Sequence, residues 1–160
     1  MNVSCRELVP IIQAALDTGS RVRFTATGSS MIPFIRSGET VELAAVDVRS
    51  IQTGDILLAL RADGMYVLHR VAALGQREVL MVSDAGRTDG WIGFEHIVAR
   101  ASAVYRRGRR HSLDTNAARR MGLVWMRLGS LATGALVLYL TFRRRIWPGG
   151  RARECDKKPA

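Results

Sequence analysis

Short strand-like segments separated by turn residues fill the middle of this chain and constrain its fold more than any other feature. Apolar, alternating or β-branched runs lie at 21–27, 39–46, 55–61, 65–74, 77–83 and 97–105. The pair Asp63-Gly64 stands between two of these runs and is a hairpin signal. Short strands repeated every 8–12 residues or so are typical of all-β domains. The sequence therefore predicts a small, mainly β domain over residues 20–106, and 160 residues suffice for one such domain with a modest core.

Charge divides the chain into two unlike parts. Residues 1–99 contain nine basic and eleven acidic residues, whereas residues 100–160 contain fifteen basic and three acidic ones. The first part has the balance of an ordinary globular domain, and the second is strongly basic. We interpret residues 107–120 as a basic linker and residues 143–160 as a basic, disordered tail.

An apolar run at residues 121–142 predicts a single membrane-spanning helix. Its length is close to the ~20 residues that such a helix needs. Trp125 and Tyr139 lie near its ends, where aromatic anchors are common. Arg127 argues against a span unless its side chain reaches the interface, so a surface-lying amphipathic helix and a buried helix stay open as alternatives. Basic residues flank the run on both sides and leave its orientation open.

The N-terminal residues 1–19 predict a short amphipathic helix that packs on the domain or on a membrane surface. Ser4 and Glu7 have capping-box spacing, and Gly19 is a plausible end. Pro10 interrupts the pattern, so the helix could instead begin there. Charged residues break the apolar run, so we expect no signal peptide here. The two cysteines, Cys5 and Cys155, suggest neither a disulfide framework nor a metal site, and we expect no metal and no cofactor.

The segment Gly28-Ser29-Ser30-Met31-Ile32-Pro33 joins two predicted strands and has the composition of a turn. It is also compatible with a nucleophilic serine presented on a turn. A serine attacks an acyl group only when a base accepts its proton and donors stabilise the oxyanion.

The other candidate catalytic groups are histidines and loop aspartates. His69 lies in a strand-like run, where a lone histidine is usually structural, and His96 and His111 have weaker claims. Asp84 and Asp89 lie in one loop, where aspartates are commonly turn formers. No one of these residues is diagnostic alone.

Together, the motifs resemble the type I signal peptidase superfamily, which includes the LexA-type repressors. The resemblance covers roughly residues 20–105 and depends on Ser30-Met31-x-Pro33, Gly54-Asp55-Ile56, His69-Arg70-Val71 and the loop with two aspartates. It implies a small β catalytic fold. Bacterial-type members carry lysine where this chain has His69, whereas archaeal and endoplasmic-reticulum-type members carry histidine. Lysine occurs here only at positions 157 and 158, so the chain is similar to the second type. The ordinary pKa of histidine, near 6.5, suits a neutral base at pH 7.

The resemblance implies roles for individual residues. Ser30 matches the nucleophile and His69 the general base. Asp89 matches the supporting acid, with Asp84 as the alternative. Asp55 matches a position that we interpret as structural.

Two departures from the superfamily pattern affect the same site. Gly28 stands where many bacterial-type members have a serine that holds the oxyanion, so the backbone N–H of Ser30, helped by Ser29, would have to do so. Met31 would line the substrate side. Ser83 precedes Asp84 where the superfamily has glycine, which puts the geometry of that loop in doubt.

The function that the resemblance implies is a membrane-associated serine endopeptidase that removes signal or leader peptides from exported precursors. Its partners would be those peptides and membrane lipid, with no nucleic acid. The alternative is a catalytically inactive or regulatory relative that acts as a membrane-bound binding module. A LexA-like repressor is disfavoured, because residues 1–20 leave no room for a DNA-reading helix-turn-helix and the lysine base is missing.

Overall fold

The computed structural model describes residues 5–129, which form one antiparallel β sheet and two α-helices. The helices are α1 (Cys5–Asp17) and α2, described over residues 116–129. Two short 3-10 helices lie at Val48–Ser50 and Phe94–His96. The strands are β1 (Val22–Thr25), β2 (Thr40–Ala44), β3 (Ile56–Leu60), β4 (Tyr66–Leu74), β5 (Glu78–Val82), β6 (Thr88–Gly93), β7 (Ile97–Arg106) and β8 (Arg109–Ser112).

The eight strands form a sheet in the order β1-β2-β7-β3-β4-β5-β6, and β8 adds to β7. The long strand β7 joins the two halves, because its first part pairs with β3 and its second part with β2. β4 is also shared: Tyr66–Arg70 pairs with β3, and Arg70–Leu74 pairs with β5. In the described residues the first half of β4 therefore has a strand partner on one side only.

Two hydrophobic clusters lie on opposite faces of the sheet. Ile56 and Leu58 of β3 belong to the cluster beneath α1, whereas Leu57 and Ala59 belong to the other. Alternate residues of a strand point to opposite faces, so a strand buried on both faces must be apolar throughout. The sequence Ile56-Leu57-Leu58-Ala59-Leu60 meets this requirement.

The N-terminal helix packs on the sheet, which is one of the two placements predicted for it. Val9, Ile12 and Leu16 recur at helical spacing and are buried. Pro10 lies inside α1 and does not begin it.

Six of the eight strands match the predicted runs, and two were missed. β6 begins in what we interpreted as the loop that contains Asp84 and Asp89. Residues 107–120, interpreted as a linker, contain β8, which pairs with β7, and the start of α2. That interpretation rested on the basic composition, but β8 is held by main-chain pairing that does not require apolar side chains.

The C-terminal span predicted at 121–142 receives no support from this structure. Residues 121–129 continue α2, while residues 130–142 and the predicted tail lie outside the described part of the chain. Neither described helix is both long and apolar enough to cross a bilayer.

A buried carboxylate, Glu42 of β2, bonds side chains from the chain around β1 and from β7 and β8. A register shift in the pairing with β7 falls between Glu42 and Leu43, and both side chains are buried. The carboxylate accepts hydrogen bonds from five side chains: Arg21, Arg23, Ser102, Tyr105 and Arg110. These bonds, that of Tyr105 foremost, hold the pKa of Glu42 far below its ordinary value.

We predict that the folded state loses stability in acid through Glu42. A carboxyl with a lowered folded-state pKa stabilises the fold above its unfolded pKa of about 4.3, and that contribution is lost as the pH falls below it. Urea unfolding from pH 7 to pH 2 should show a falling free energy of unfolding. Glu42→Gln should lower that free energy at pH 7 by about 2 kcal/mol and flatten the pH dependence. Glu95→Gln, at an exposed glutamate, is the matched control, and an equal flattening there would contradict the assignment.

Candidate active site

Ser30 lies in the loop between β1 and β2, which is anchored at both ends. The amide of Ala26 donates to the carbonyl of Glu39 and that of Gly38 to the carbonyl of Ala26, both at 2.9 Å. Met31 and Ile35 are buried in the core beneath α1, and the Ile35 amide donates to the Met31 carbonyl at 2.8 Å. Although its neighbour Met31 is buried, Ser30 itself is exposed.

Ser30, His69 and Asp89 are in direct contact in that order. The Oγ of Ser30 lies 3.0 Å from Nε2 of His69, and Nδ1 of His69 contacts Oδ2 of Asp89. A carboxylate can only accept a hydrogen bond, so Nδ1 carries the proton and Nε2 presents its lone pair to the serine. His69 is buried, and the Asp89 side chain has no exposed surface. The three residues come from a loop, from β4 and from β6.

Asp84, the alternative supporting acid, does not bond His69 and instead binds Arg70. Its two oxygens accept from Nε and Nη2 of Arg70 at 2.7 and 2.9 Å, and both side chains are buried. Burial raises the pKa of Asp84, and the Arg70 guanidinium opposes that rise. Between the two predicted aspartates, the structure brings Asp89 to the histidine.

The loop that contains Asp84 also supports the backbone at Ser30. The amide of Ala85 donates to the carbonyl of Ser30 at 3.0 Å. Arg70 donates further to the carbonyl of Gly54 at 2.8 Å and lies over the ring of Phe34 at 4.7 Å. One buried arginine therefore joins the loops on both sides of the site.

The predicted oxyanion residues lie beside Ser30. Gly28 has φ +95°, a conformation that favours glycine, and Ser29 is exposed. Within residues 5–129 the backbone N–H of Ser30 has no acceptor, so it is available to an oxyanion. Met31 lines the adjacent cavity.

A cavity of about 220 Å³ opens beside Ser30 and His69. Its walls come from α1, from β1 and the following loop, from β3 and from the first half of β4. They are largely apolar: Val9, Ile12, Phe24, Ala26, Met31, Ile35, Leu58, Tyr66, Val67 and Leu68. Such a space suits one or two apolar side chains and is too small for a whole drug-sized ligand.

The remaining predicted residues lie away from the contacts among Ser30, His69 and Asp89. His96 lies in the second 3-10 helix and His111 in β8, and both are exposed. Asp55 is buried at the start of β3 and accepts from Arg119 of α2 at 2.6 Å, a structural role as interpreted. Across the described residues, no group of three or more His, Cys, Asp or Glu could hold a metal ion.

Sequence reasoning missed two arginines of the site. Arg70 belongs to the quoted motif but was given no role, and Arg61 was not considered. Arg61 donates Nη1–H to Oδ1 of Asp89 at 3.0 Å. The only signal in the sequence was the position of Arg61 beside the Asp63-Gly64 turn, which does not reveal a partner 28 residues away.

Comparison with known proteins adds no relative: no protein family, curated protein or solved structure matches this chain.

Helix α2 packs on the back of this site. The indole Nε1–H of Trp125 donates to the carbonyl of Asp84 at 2.8 Å, and its ring meets that of Phe34 edge-to-face. Gly122 lies so close to Arg70 that a Cβ there would overlap the guanidinium group. A glycine at this position is thus a requirement for close packing.

We predict that Gly122→Ala weakens the packing of α2 even though alanine favours helices. The added methyl group would displace the buried Arg70, and overpacking of this kind costs about 1–3 kcal/mol. Gly129→Ala, on the same helix, is the matched control: no described atom outside the helix backbone lies within 4 Å of the added Cβ, and the variant should gain up to about 1 kcal/mol from helix propensity. Urea unfolding measures both, and the NMR signal of the Trp125 indole N–H should shift only in Gly122→Ala. Equal stability of the two variants would contradict the packing argument.

Proposed function

We propose that this protein is a serine endopeptidase that uses Ser30 as nucleophile, His69 as general base and Asp89 as the acid that orients the histidine. The observation that carries the proposal is the unbroken contact from Ser30 Oγ through the imidazole to Asp89. A serine and a histidine that were neighbours by chance would need no buried carboxylate at Nδ1 of the histidine, whereas Asp89 is placed there. All three groups together make up the arrangement that acyl transfer needs.

The chemistry follows from the positions of these atoms. Ser30 Oγ attacks the carbonyl carbon of the scissile peptide while its proton passes to His69 Nε2. The backbone N–H of Ser30 donates to the oxyanion of the tetrahedral intermediate. The C–N bond then breaks as His69 returns the proton to the leaving amine, and a water molecule hydrolyses the acyl-enzyme by the same route. Asp89 stabilises the imidazolium in both stages.

An extended peptide is the substrate that the surroundings favour. β1 pairs only with β2, and Tyr66–His69 of β4 pair only with β3 among the described strands. Two free strand edges therefore border the cavity at Ser30. A segment in β conformation could bond to these edges, with alternate side chains entering the apolar cavity.

Signal or leader peptides of exported precursors are the substrate class within this proposal. That choice comes from the resemblance of Ser30-Met31-x-Pro33 and His69-Arg70-Val71 to signal peptidases of the histidine type. Small or short apolar residues before the cut fit a cavity of about 220 Å³. The membrane association included in the proposal relies on the apolar sequence at 121–142.

We predict that Ser30→Ala and His69→Gln each lower the rate of cleavage by about 10⁴-fold or more, because the nucleophile and base act as a unit. Asp89→Asn should cost about 10³–10⁴-fold, since an amide no longer fixes the required tautomer. The measurement is cleavage of a proteome-derived peptide library by the full-length chain, with products identified by mass spectrometry. New termini should follow small or short apolar residues.

Matched controls are Ser37→Ala and His96→Gln, which remove an exposed serine and an exposed histidine outside the site. Both should retain cleavage. Equal cleavage by wild type and Ser30→Ala would overturn the proposal. A folded wild type that cleaves no library peptide and does not rescue a bacterium depleted of its signal peptidase would favour the inactive binding module.

A further inference from the structure

Both carboxylate oxygens of Asp89 accept hydrogen bonds, one from His69 and the other from Arg61. Oδ2 contacts the imidazole of His69, and Oδ1 accepts from Nη1 of Arg61 at 3.0 Å. The Asp89 side chain has 0% exposed surface, so solvent does not replace either partner. A buried carboxylate with only one partner would keep much of its desolvation cost.

The guanidinium of Arg61 is held in place by a second carboxylate. Arg61 follows the last residue of β3, and Asp63 in the adjoining hairpin accepts from its Nε at 3.2 Å and from its Nη2. Asp63 is fixed in turn by the amide of Met65, which donates to it at 3.1 Å. The bonds to Asp63 and Asp89 raise the pKa of Arg61, so the cation persists at any working pH.

We propose that Arg61 is a positioning residue, which orients the Asp89 carboxylate and limits how strongly that carboxylate attracts a proton onto His69. Only the use of this effect in catalysis depends on the proposed function. The contacts among Arg61, Asp89 and His69 carry the proposal themselves.

The electrostatic argument has a defined sign. A cation on the far oxygen of Asp89 reduces the negative potential at the imidazole, so less of the histidine is protonated at a given pH. Removing Arg61 should therefore move protonation of His69 to higher pH. Asp63 competes with Asp89 for the same guanidinium. When the charge of Asp63 is removed, the Arg61 cation should interact more strongly with Asp89. Protonation of His69 should then move to lower pH.

The other charged groups near His69 are the same in the wild type and in the Arg61 and Asp63 variants. The Arg70–Asp84 pair lies behind β4, close enough for His69 to influence the pKa of Asp84. Arg36 lies on the wall of the cavity that His69 also lines. None of these residues is changed in the variants below.

The experiment is an NMR pH titration of the histidine ring signals in the full-length chain, with His69→Gln used to assign the His69 signal. In Arg61→Gln the pH midpoint of His69 should rise by roughly half a unit or more. In Asp63→Asn it should fall. Arg61→Lys retains the charge and should lie nearer to wild type than Arg61→Gln. Arg49→Gln removes the same charge from an exposed arginine of the Val48–Ser50 helix and should leave the midpoint unchanged.

Shifts of opposite sign distinguish this role from a merely structural one, because loosening of the hairpin would move both variants in the same direction. An unchanged midpoint in both Arg61→Gln and Asp63→Asn, or the same direction in both, would overturn the inference. Should Arg61→Gln fail to fold, Asp63→Asn alone still tests the inference, because a His69 midpoint that does not fall in that variant would contradict it. The readout needs no substrate, so absence of peptidase activity and failure of this inference are separate results.

Discussion

The buried ion pair of Arg70 and Asp84 is the contact on which the arrangement of the site depends. Burying two charges costs several kcal/mol per ion unless their hydrogen bonds are met. Here Arg70 satisfies Asp84 twice, donates to the carbonyl of Gly54 and lies over the ring of Phe34. Because the pair is expensive to break, the loops that it joins keep one geometry. The three segments are the turn before β3, the chain around Ser30 and the turn before β6.

Consecutive residues of a strand point to opposite faces, and β4 uses this rule at the site. His69 points toward Ser30 and Asp89, while Arg70 points toward Asp84 and α2. A slip of β4 by one residue would exchange the two side chains. Arg70 would then leave Asp84, and the imidazole of His69 would face that buried carboxylate in its place. The ion pair of Arg70 therefore fixes the register that presents His69.

Much of the fold followed from the sequence, and the exceptions have physical reasons. The β3–β4 hairpin could be predicted, because Asp63-Gly64 separates two apolar runs. β6 was missed because Thr88-Asp89-Gly90-Trp91-Ile92-Gly93 contains two glycines and an aspartate, which strands disfavour. β8 was missed because its residues are basic, and the tight turn before it uses Arg107-Gly108, both with positive φ, in place of the usual Asn-Gly.

The residues of the candidate site could be named from the sequence, but their contacts could not. Ser30 and His69 carried the resemblance, but the choice between Asp84 and Asp89 depends on where the chain turns after Asp84. Gly86, with φ +87°, reverses the chain there, and β6 then returns Asp89 to the side of β4 that carries His69. Neither the partner of Asp84 nor that of Asp89 is near it in sequence, so no local pattern could assign them.

In the proposed mechanism, a histidine base explains why this site needs so many fixed charges. A lysine base has equivalent N–H groups and no tautomers, so burial alone can make it neutral. A neutral imidazole offers its lone pair to a serine only when the other nitrogen holds the proton, and a carboxylate at Nδ1 enforces that. A carboxylate buried for this purpose must itself be paired, which Arg61 does for Asp89. In the series of contacts that runs from Ser30 through His69, Asp89 and Arg61 to Asp63, each group is thus required by the one before it.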